Sequence, residues 1–279
     1  MEELKPQPQS EHLTIGGHRI HCWLGGSGPN LLLIHAAWGD AEMSWSGVWT
    51  ELARSFTVIA PDLPGFGQSS HLPHHSVPAM VELLKLLLDE LNVQRVIVAG
   101  NSFGASVALQ FANTYPKLCD RLVLVNGGYT PVIPWLLRKA LSLPLLRQGL
   151  GLMMRSLSYS RPALKRAFVH PRNLPHGFIE KIRRNARPNT KIVRDSWLAM
   201  QAPLARPAAP TLLLWGAQDT MAPLKYALFI HKWIPGSTLT LIERAGHMPQ
   251  VEQSEEFVAA LQRFTSVPEI MNLDKEPLS

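Results

Sequence analysis

The segment Gly100–Gly104 places a serine between two glycines, where an apolar stretch gives way to a helical pattern. Val96–Ala99 predicts a strand, and Phe103–Thr114 predicts a helix. The turn between them must be sharp, so its neighbours must be small and its serine is expected to be strained. Such a turn lifts the Ser102 hydroxyl to the carboxyl end of the strand. It also leaves the first N–H of the helix, that of Phe103, free to stabilise an anion. The pattern predicts that Ser102 is a nucleophile.

A serine hydroxyl needs a base, and the base needs an acid that orients it. Two later strands are each followed by a suitable side chain: Thr211–Trp215 by Asp219, and Thr238–Ile242 by His247. The spacing therefore predicts a triad of Ser102, Asp219 and His247. The segment after the sixth predicted strand, which starts at Asn126, carries no carboxylate, and this favours Asp219 as the acid.

Two other polar residues are predicted to have structural roles. Asp62 lies in an Asp-x-x-Gly-x-Gly segment, which is typical of a turn that hydrogen-bonds its own backbone. Asp40 is interpreted as a loop residue or a helix cap. The loop histidines His71, His74 and His75 have no partner at the spacing of a metal site, so no metal is expected.

Strand-like and helix-like segments alternate along most of the chain, which predicts a parallel sheet with helices on both faces. Ser76 is a plausible N-cap for the first of the predicted helices. The predicted strands are His12–Ile15, His18–Leu24, Asn30–His35, Thr57–Ala60, Arg95–Ala99, Arg121–Val125, Thr211–Trp215 and Thr238–Ile242. The predicted helices are Pro78–Leu91, Phe103–Thr114, Leu224–Trp233 and Glu255–Phe264.

The alternation stops at Pro131 and resumes after Ala208. The intervening segment is rich in Leu, Arg and Pro and contains no strand-like pattern. Its pattern predicts helical fragments interrupted by prolines. We therefore predict an α/β core domain from residues 1–130 and 209–279, with a helical insertion at residues 131–208. The tail Pro268–Ser279 is expected to be a loose end.

The insertion is strongly basic, with 15 Lys and Arg against 2 acidic residues, whereas the rest of the chain has a balance of −7. One interpretation is a solvated helical face. Another is that the mixture of leucines, methionines and cations in Pro134–Met154 rests on anionic lipid or admits an apolar acyl substrate. Nucleic acid is not an expected partner, because no binding motif is present and the acidic body would oppose it. The oligomeric state is left open.

Composition fits a globular chain with a sizeable core, with 46% apolar and 17% charged residues. No apolar run reaches the ~18–20 residues that span a bilayer, and the polar start Met1–Lys5 does not suggest a secretory signal. Cys22 and Cys119 are not expected to form a disulfide. A reducing, cytoplasmic setting is therefore the expected one.

Four motifs in order resemble those of the α/β-hydrolase superfamily. They are His35–Asp40, Asp62–Ser69, the Gly100–Gly104 elbow and Ala245–Pro249. The resemblance covers His12–Phe264 apart from the insertion. It implies an α/β-hydrolase fold with a mostly parallel eight-stranded sheet, helices on both faces, and a helical cap between strands six and seven that roofs the active site.

The same resemblance implies an oxyanion hole. In the family, a His-Gly-x loop after the third strand supplies one backbone donor, and here the match is His35-Ala36-Ala37. The implied donors are the backbone N–H groups of Ala37 and Phe103. Alanine replaces the usual glycine, so Ala36 stays open as an alternative donor, and His35 is interpreted as a supporting histidine.

These residues predict a serine hydrolase that cleaves a carboxylic ester of a small, apolar substrate through an acyl-enzyme and needs no cofactor. Lactones, thioesters and peptides with an N-terminal proline stay open as substrates. The Gly-Asn-Ser elbow also resembles that of carbon–carbon bond hydrolases acting on ring-cleavage products. Two further alternatives are a cofactor-free perhydrolase or haloperoxidase and a ligand-binding receptor. A serine nucleophile argues against the dehalogenases and epoxide hydrolases of this fold, which use aspartate.

Overall fold

Eight strands form a single sheet in a computed structural model that describes residues 7–129, 133–199 and 205–266. They are β1 (Gln9–Ile15), β2 (His18–Gly26), β3 (Asn30–Ile34), β4 (Thr57–Pro61), β5 (Val96–Asn101), β6 (Cys119–Val125), β7 (Thr211–Gly216) and β8 (Thr238–Ile242). Their order is β1-β2-β4-β3-β5-β6-β7-β8. The β1–β2 and β2–β4 pairs are antiparallel, and all other pairs are parallel. The predicted eight-stranded, mostly parallel sheet is confirmed.

Helices connect these strands and extend the chain beyond β8. They are α1 (Ala41–Leu52), α2 (Val77–Glu90), α3 (Phe103–Thr114), α4 (Trp135–Leu141), α5 (Pro144–Tyr159), α6 (Arg161–Ala167), α7 (Phe178–Arg184), α8 (Ala186–Leu198), α9 (Leu224–Trp233), α10 (Pro249–Glu252) and α11 (Ser254–Ser266). A short 3-10 turn lies at Pro171–Asn173. The predicted tail Pro268–Ser279 and the predicted boundary at residue 131 lie outside the described residues.

The sheet is buried on both faces because alternate side chains of its strands point in opposite directions. In β3, Leu32 and Ile34 pack into a core formed with α2, α3 and α9. Leu31 and Leu33 pack into the core on the other face, which includes α1 and α11. The predicted placement of helices on both faces is therefore confirmed, and the strand ends in between are held rigidly.

Two of the helix starts were anticipated from polar residues. The Ser76 hydroxyl accepts a hydrogen bond from the N–H of Ala79 and caps α2, as predicted. Asp40 caps α1 by accepting from the N–H of Met43 at 2.8 Å. Helix α1 itself was not predicted, although Trp45, Val48 and Leu52 follow the spacing of a buried helical face.

Five helices, α4–α8, lie between β6 and β7, and we call them the helical segment. Prolines occupy the first turn of several of them, Pro144 in α5, Pro162 in α6 and Pro188 in α8. Proline fits this position because the first N–H groups of a helix have no partner within the helix. The prolines therefore begin helices here instead of interrupting them.

The two halves of the helical segment differ in burial. Helix α4 contains no buried residue, and α5 buries only Leu150 and Tyr159. The later helices bury an apolar cluster against Trp38 and Met248 of the core. That cluster includes Leu164, Ala167, Phe168, Phe178, Ile182 and Ala186. The second half is thus seated on the core, whereas the first half is largely exposed.

The length of the described helices and the state of the two cysteines bear on membrane spanning and on disulfide formation. In the described ranges, no helix combines the length and apolar character needed to cross a bilayer. Cys22 and Cys119 are buried free thiols in β2 and β6. Burial raises the pKa of the Cys119 thiol to about 12 and also raises that of Cys22. Neither thiol is therefore suited to act as a nucleophile.

Candidate active site

Ser102 lies on the sharp turn between β5 and α3. Its backbone has φ 54° and ψ −111°, a left-handed conformation that is strained for any residue with a side chain. A Cβ at Gly100 would collide with the carbonyl of Gly104, and one at Gly104 would collide with the carbonyl of Ile34. Both glycines are therefore required by close backbone approach. Ser102 borders a cavity of about 330 Å³.

His247 follows β8 and approaches Ser102 from the neighbouring loop. Its Nε2 lies 2.9 Å from the Ser102 Oγ. Its backbone N–H donates to the carbonyl of Ala167 in the helical segment, and the edge of Trp38 packs against the ring with 5.0 Å between centroids. The side chain is 7% exposed, so its ring nitrogens contact protein atoms and are mostly shielded from water.

Asp219 follows β7 and completes the chain of polar groups. Its Oδ2 lies 2.8 Å from the Nδ1 of His247, and its Oδ1 accepts the N–H groups of Met221 and Ala222. Burial alone would raise the pKa of this carboxyl. The charge of His247 and the hydrogen bonds together outweigh burial and lower it. The carboxylate of Asp219 is thus placed to accept a hydrogen bond from the histidine ring.

Asn126 is a fourth polar residue of the site, and the sequence analysis did not assign it a role. Its Nδ2 donates to the Asp219 Oδ2 at 2.5 Å, and its Oδ1 accepts the N–H of Gly216. Its φ of 46° is a left-handed value that asparagine tolerates better than most residues. The signal in the sequence was an Asn-Gly-Gly turn directly after β6, which we had read only for its lack of a carboxylate.

The two residues implied for an oxyanion hole border the same cavity as Ser102 and His247. Phe103 is the first residue of α3, where a backbone N–H has no partner within the helix. The carbonyl of Ala37 accepts the Tyr159 hydroxyl at 3.0 Å and the Asn189 side chain at 2.9 Å. Both donors belong to the helical segment, so α5 and α8 fix the orientation of this loop.

Ala36, the alternative donor, is placed differently. Its N–H donates to the Ser44 hydroxyl at 3.3 Å, and its side chain is buried. Its φ is not positive, so the loop accepts alanine where the family usually has glycine. His35 is buried beneath it, with Nδ1 near the carbonyl of Ala36 and Nε2 accepting the N–H of Leu63.

Asp62 is not part of this arrangement. Its two carboxylate oxygens accept the N–H groups of Ala41 and Gln68, and Oδ2 also lies 2.8 Å from the Nδ1 of His21. The Ser69 hydroxyl donates to its backbone carbonyl. The side chain is 2% exposed. The carboxylate thus joins β2, α1 and the turn that follows β4.

A cavity of about 330 Å³ opens above Ser102 and His247. Residues of the core line one side of this cavity, and Met154, Val193 and Trp197 of the helical segment line the other. Most of its lining is apolar. This volume lies at the lower end of the range for small-molecule pockets, roughly 300–1,000 Å³.

A mostly parallel α/β sheet that brings a serine, a histidine and an aspartate together at its strand ends defines the α/β class of hydrolases. Comparison with known families agrees, because residues 29–254 match the family described as the alpha/beta hydrolase fold. The chain belongs to this family.

Three similar proteins illustrate its range. An uncharacterised protein of Mycobacterium tuberculosis is 32% identical over 97% of this chain and 85% of its own. The 2-hydroxy-6-oxo-2,4-heptadienoate hydrolase of Pseudomonas putida is 28% identical over 90% of this chain and 94% of its own. The structure of a thermophilic esterase from Thermogutta terrifontis has a TM-score of 0.72 and 27% identity, covering 92% of this chain and 98% of that one.

Proposed function

We propose that the protein is a serine esterase that hydrolyses carboxylic esters of small, apolar substrates. The observation that carries the proposal is the polar chain from Asp219 through His247 to Ser102, with distances of 2.8 and 2.9 Å, at the floor of an apolar cavity. The arrangement supplies a nucleophile, a base and an orienting acid in one line.

In the first half of the reaction, the Ser102 Oγ attacks the ester carbonyl carbon and its proton passes to the Nε2 of His247. Asp219 holds the Nδ1–H of the ring and stabilises the imidazolium. The C–O bond to the alcohol then breaks, and His247 returns the proton to the leaving oxygen. The alcohol departs, and the acyl group stays on Ser102.

In the second half, a water molecule takes the place of the alcohol. His247 removes a proton from this water as its oxygen attacks the acyl carbon. The bond to Ser102 breaks, the serine oxygen takes back the proton, and the carboxylic acid leaves. The residues return to their starting state, so the proposed cycle uses water as its only co-reactant.

Each half passes through an oxyanion, for which we propose the N–H groups of Phe103 and Ala37 as donors. Two observations support Ala37 over Ala36. The Ala36 N–H already donates to the Ser44 hydroxyl, and Ala37 borders the cavity. Removing one such donor typically costs on the order of 10²–10³ in rate. Tyr159 and Asn189 hold the Ala37 carbonyl and so restrain the loop that carries the Ala37 N–H.

Carbon–carbon bond hydrolysis is the second candidate, since the similar Pseudomonas putida enzyme is named for a dienoate substrate. Such a substrate carries a carboxylate, which would need a cation or several donors near Ser102. Among the described residues that line the cavity there is no Lys or Arg. This apolar lining favours an uncharged ester.

We further propose that residues 131–208 act as a cap that selects the substrate. The support is that α5 and α8 line the cavity with Met154, Val193 and Trp197. The two buried free thiols fit a reducing compartment, so the cytoplasm is our proposed location.

A fluorophosphonate label combined with p-nitrophenyl esters of increasing chain length tests the proposal. We expect the label on Ser102, turnover of short and medium chains, and loss of both in Ser102→Ala. Ser106→Ala is the matched control, because Ser106 also borders the cavity but is one turn further along α3. It should keep the label and most of the activity.

Three outcomes would contradict ester hydrolysis. Tight binding of esters with no turnover would indicate a receptor. Peroxide-dependent halogenation that exceeds hydrolysis would indicate a perhydrolase or haloperoxidase. Faster cleavage of a 2-hydroxy-6-oxo-dienoate than of any ester would indicate the carbon–carbon reaction.

A further inference from the structure

Helices α4 and α5 expose an unusual number of large apolar side chains, which we call the outer face. Of the fourteen large apolar side chains that are exposed in the described residues, nine fall within Trp135–Leu157. Their exposed fractions run from 49% to 82%. The members of the outer face are Trp135, Leu136, Leu137, Leu143, Leu145, Leu146, Leu152, Met153 and Leu157. Such a concentration marks an interaction surface.

Helix α5 separates this face from the active-site cavity. Leu145 and Leu152 lie on one side of the helix, since residues seven positions apart are close to two whole turns. Met154 and Ser158 lie on the opposite side and border the cavity above Ser102. Whatever covers the outer face is therefore one helix diameter, roughly 10–12 Å, from the cavity.

The charges that α4 and α5 themselves carry are all positive, and one of them, Arg147, pairs with Asp195 of α8 at 2.8 Å. The stretch Trp135–Tyr159 contains four cations, Arg138, Lys139, Arg147 and Arg155, and no acidic residue. Beside it, a groove of about 780 Å³ runs between α5 and α8. Among the described residues that line this groove are Arg155, Arg187, Lys191 and Arg194, and none carries a carboxylate.

Three of the groove cations are available for a ligand. Arg194 pairs with Asp195 at 2.8 Å. Within the described part of the chain, Arg155, Arg187 and Lys191 form no ion pair with a carboxylate within 4.0 Å. These three cations have no counter-charge among the described residues and lie next to exposed leucines. A partner that matches this surface must therefore carry both anionic and apolar groups.

We propose that the outer face docks on an anionic phospholipid surface. The leucines of α4 and α5 enter the acyl layer, while Arg155, Arg187 and Lys191 bind the lipid phosphates. A second copy of this chain fits less well as the occupant, because a symmetric contact would bring the same cations face to face. The surface suits the interfacial binding of a basic amphipathic helix.

Vesicle flotation of the full chain tests the proposal. The Ser102→Ala variant is used alongside the parent so that lipid is not consumed, and equal binding by both separates docking from ester hydrolysis. We expect binding to phosphatidylglycerol vesicles at low salt, a steep loss as salt rises, and weak binding to phosphatidylcholine. Screening acts over about 10 Å at 0.1 M salt.

Two sets of variants separate the apolar and the ionic contributions. Leu145→Ser with Leu152→Ser and Leu157→Ser should lower affinity for both lipids by at least tenfold, since three apolar side chains are withdrawn from the acyl layer. Arg155→Gln with Lys191→Gln should lower affinity for phosphatidylglycerol by about 25-fold, at roughly fivefold per cation. Binding to phosphatidylcholine should not change in that pair.

Matched controls lie on the core. Leu228→Ser removes an equally exposed leucine from α9, and Lys117→Gln with Lys232→Gln removes two exposed cations. Thermal unfolding checks that every variant is folded. Controls that reduce binding as much as the test variants would overturn the proposal. Absence of binding to phosphatidylglycerol vesicles at low salt would also overturn it. So would a parent that binds no vesicles and forms a dimer that the leucine variants convert to monomers.

Discussion

The loops that follow β5, β7 and β8 border the same cavity as helix α5, yet they are held by different means from α5 and its neighbour α4. Every residue of β5 and β7 is buried, and Asp219 alone receives four hydrogen bonds. Helix α4 has no buried residue. The chemistry is therefore built on rigid strand ends, whereas the first half of the helical segment can change its surface without disturbing them.

The end of α5 and the second half of the helical segment connect these two regions. Tyr159 and Asn189 hold the carbonyl of Ala37, and the carbonyl of Ala167 accepts the N–H of His247. Glu252 adds a link, because its carboxylate accepts the N–H groups of Gly246 and Val169. Three side chains that bond backbone groups, and one bond between two backbone groups, thus join the site to the helical segment, while the outer face stays free for the proposed docking.

The largest expected effect separates two buried carboxylates of the core. Asp219→Asn should lower kcat by roughly 10³–10⁴, because the amide holds His247 in the wrong tautomer. Asp62→Asn should leave kcat nearly unchanged and instead lower the free energy of unfolding by about 1–3 kcal/mol, since buried donors lose their acceptor. Ester kinetics and thermal unfolding of both variants check this. If the Asp62→Asn enzyme were folded and had the lower kcat of the two, Asp219 would not be the acid of the triad.

The next effect concerns Asn126, which donates to Asp219. Asn126→Gly removes the side chain and keeps the left-handed backbone, so the loss reports the hydrogen bond and not strain. A hydrogen bond to a charged group is worth about 1.5–3 kcal/mol, which corresponds to a decrease of kcat by about 10- to 100-fold with KM little changed. Asn173→Ala, an exposed asparagine, is the control. Equal kcat in both variants would remove Asn126 from the site.

The strand ends could be predicted from sequence because each carries its own local signal. β8 was predicted with its observed bounds. Ser102 and Asp219 each follow a strand that is buried throughout, whereas His247 follows a strand that alternates threonine with apolar residues. The structure brings the side chains of these three residues within hydrogen-bond distance, Asp219 of His247 and His247 of Ser102. Their distances in sequence did not matter, because a parallel sheet gathers its carboxyl ends at one edge.

The contacts of the helical segment could not be predicted in the same way. Tyr159 and Asn189 meet Ala37 across more than one hundred residues, and no pattern in their own neighbourhoods points to that carbonyl. The helix bounds were obscured because prolines such as Pro144 and Pro162 were interpreted as breaks, whereas they begin helices. The basic and apolar mixture was visible, but only the structure shows that the leucines of α5 face outward.

A smaller effect tests the contact between the two regions. Tyr159→Phe keeps the ring and deletes the hydrogen bond to the Ala37 carbonyl, so kcat should fall by about fivefold for a net loss of ~1 kcal/mol. Burial raises the pKa of Tyr159, so the hydroxyl remains a donor throughout the assay range. Tyr226→Phe, on the exposed side of α9, is the matched control. A change in KM alone would show that Tyr159 contacts substrate and does not position the loop.

The smallest effect is a pH dependence of stability that arises from Asp219. The pKa of this carboxyl is lower in the folded protein than the ~3.9 of an unfolded aspartate. The folded state therefore binds its proton less readily, and the ionised group contributes stability that is fully present above about pH 5. That contribution is lost as pH falls below ~4 towards the folded pKa. The difference in Tm between the parent and Asp219→Asn should accordingly shrink on acidification. Asp89→Asn, which affects an exposed pair with Lys85, should show no such trend. A parent advantage that grows as the pH falls would mean that Asp219 is protonated in the folded protein, and the orienting role proposed for it could not hold.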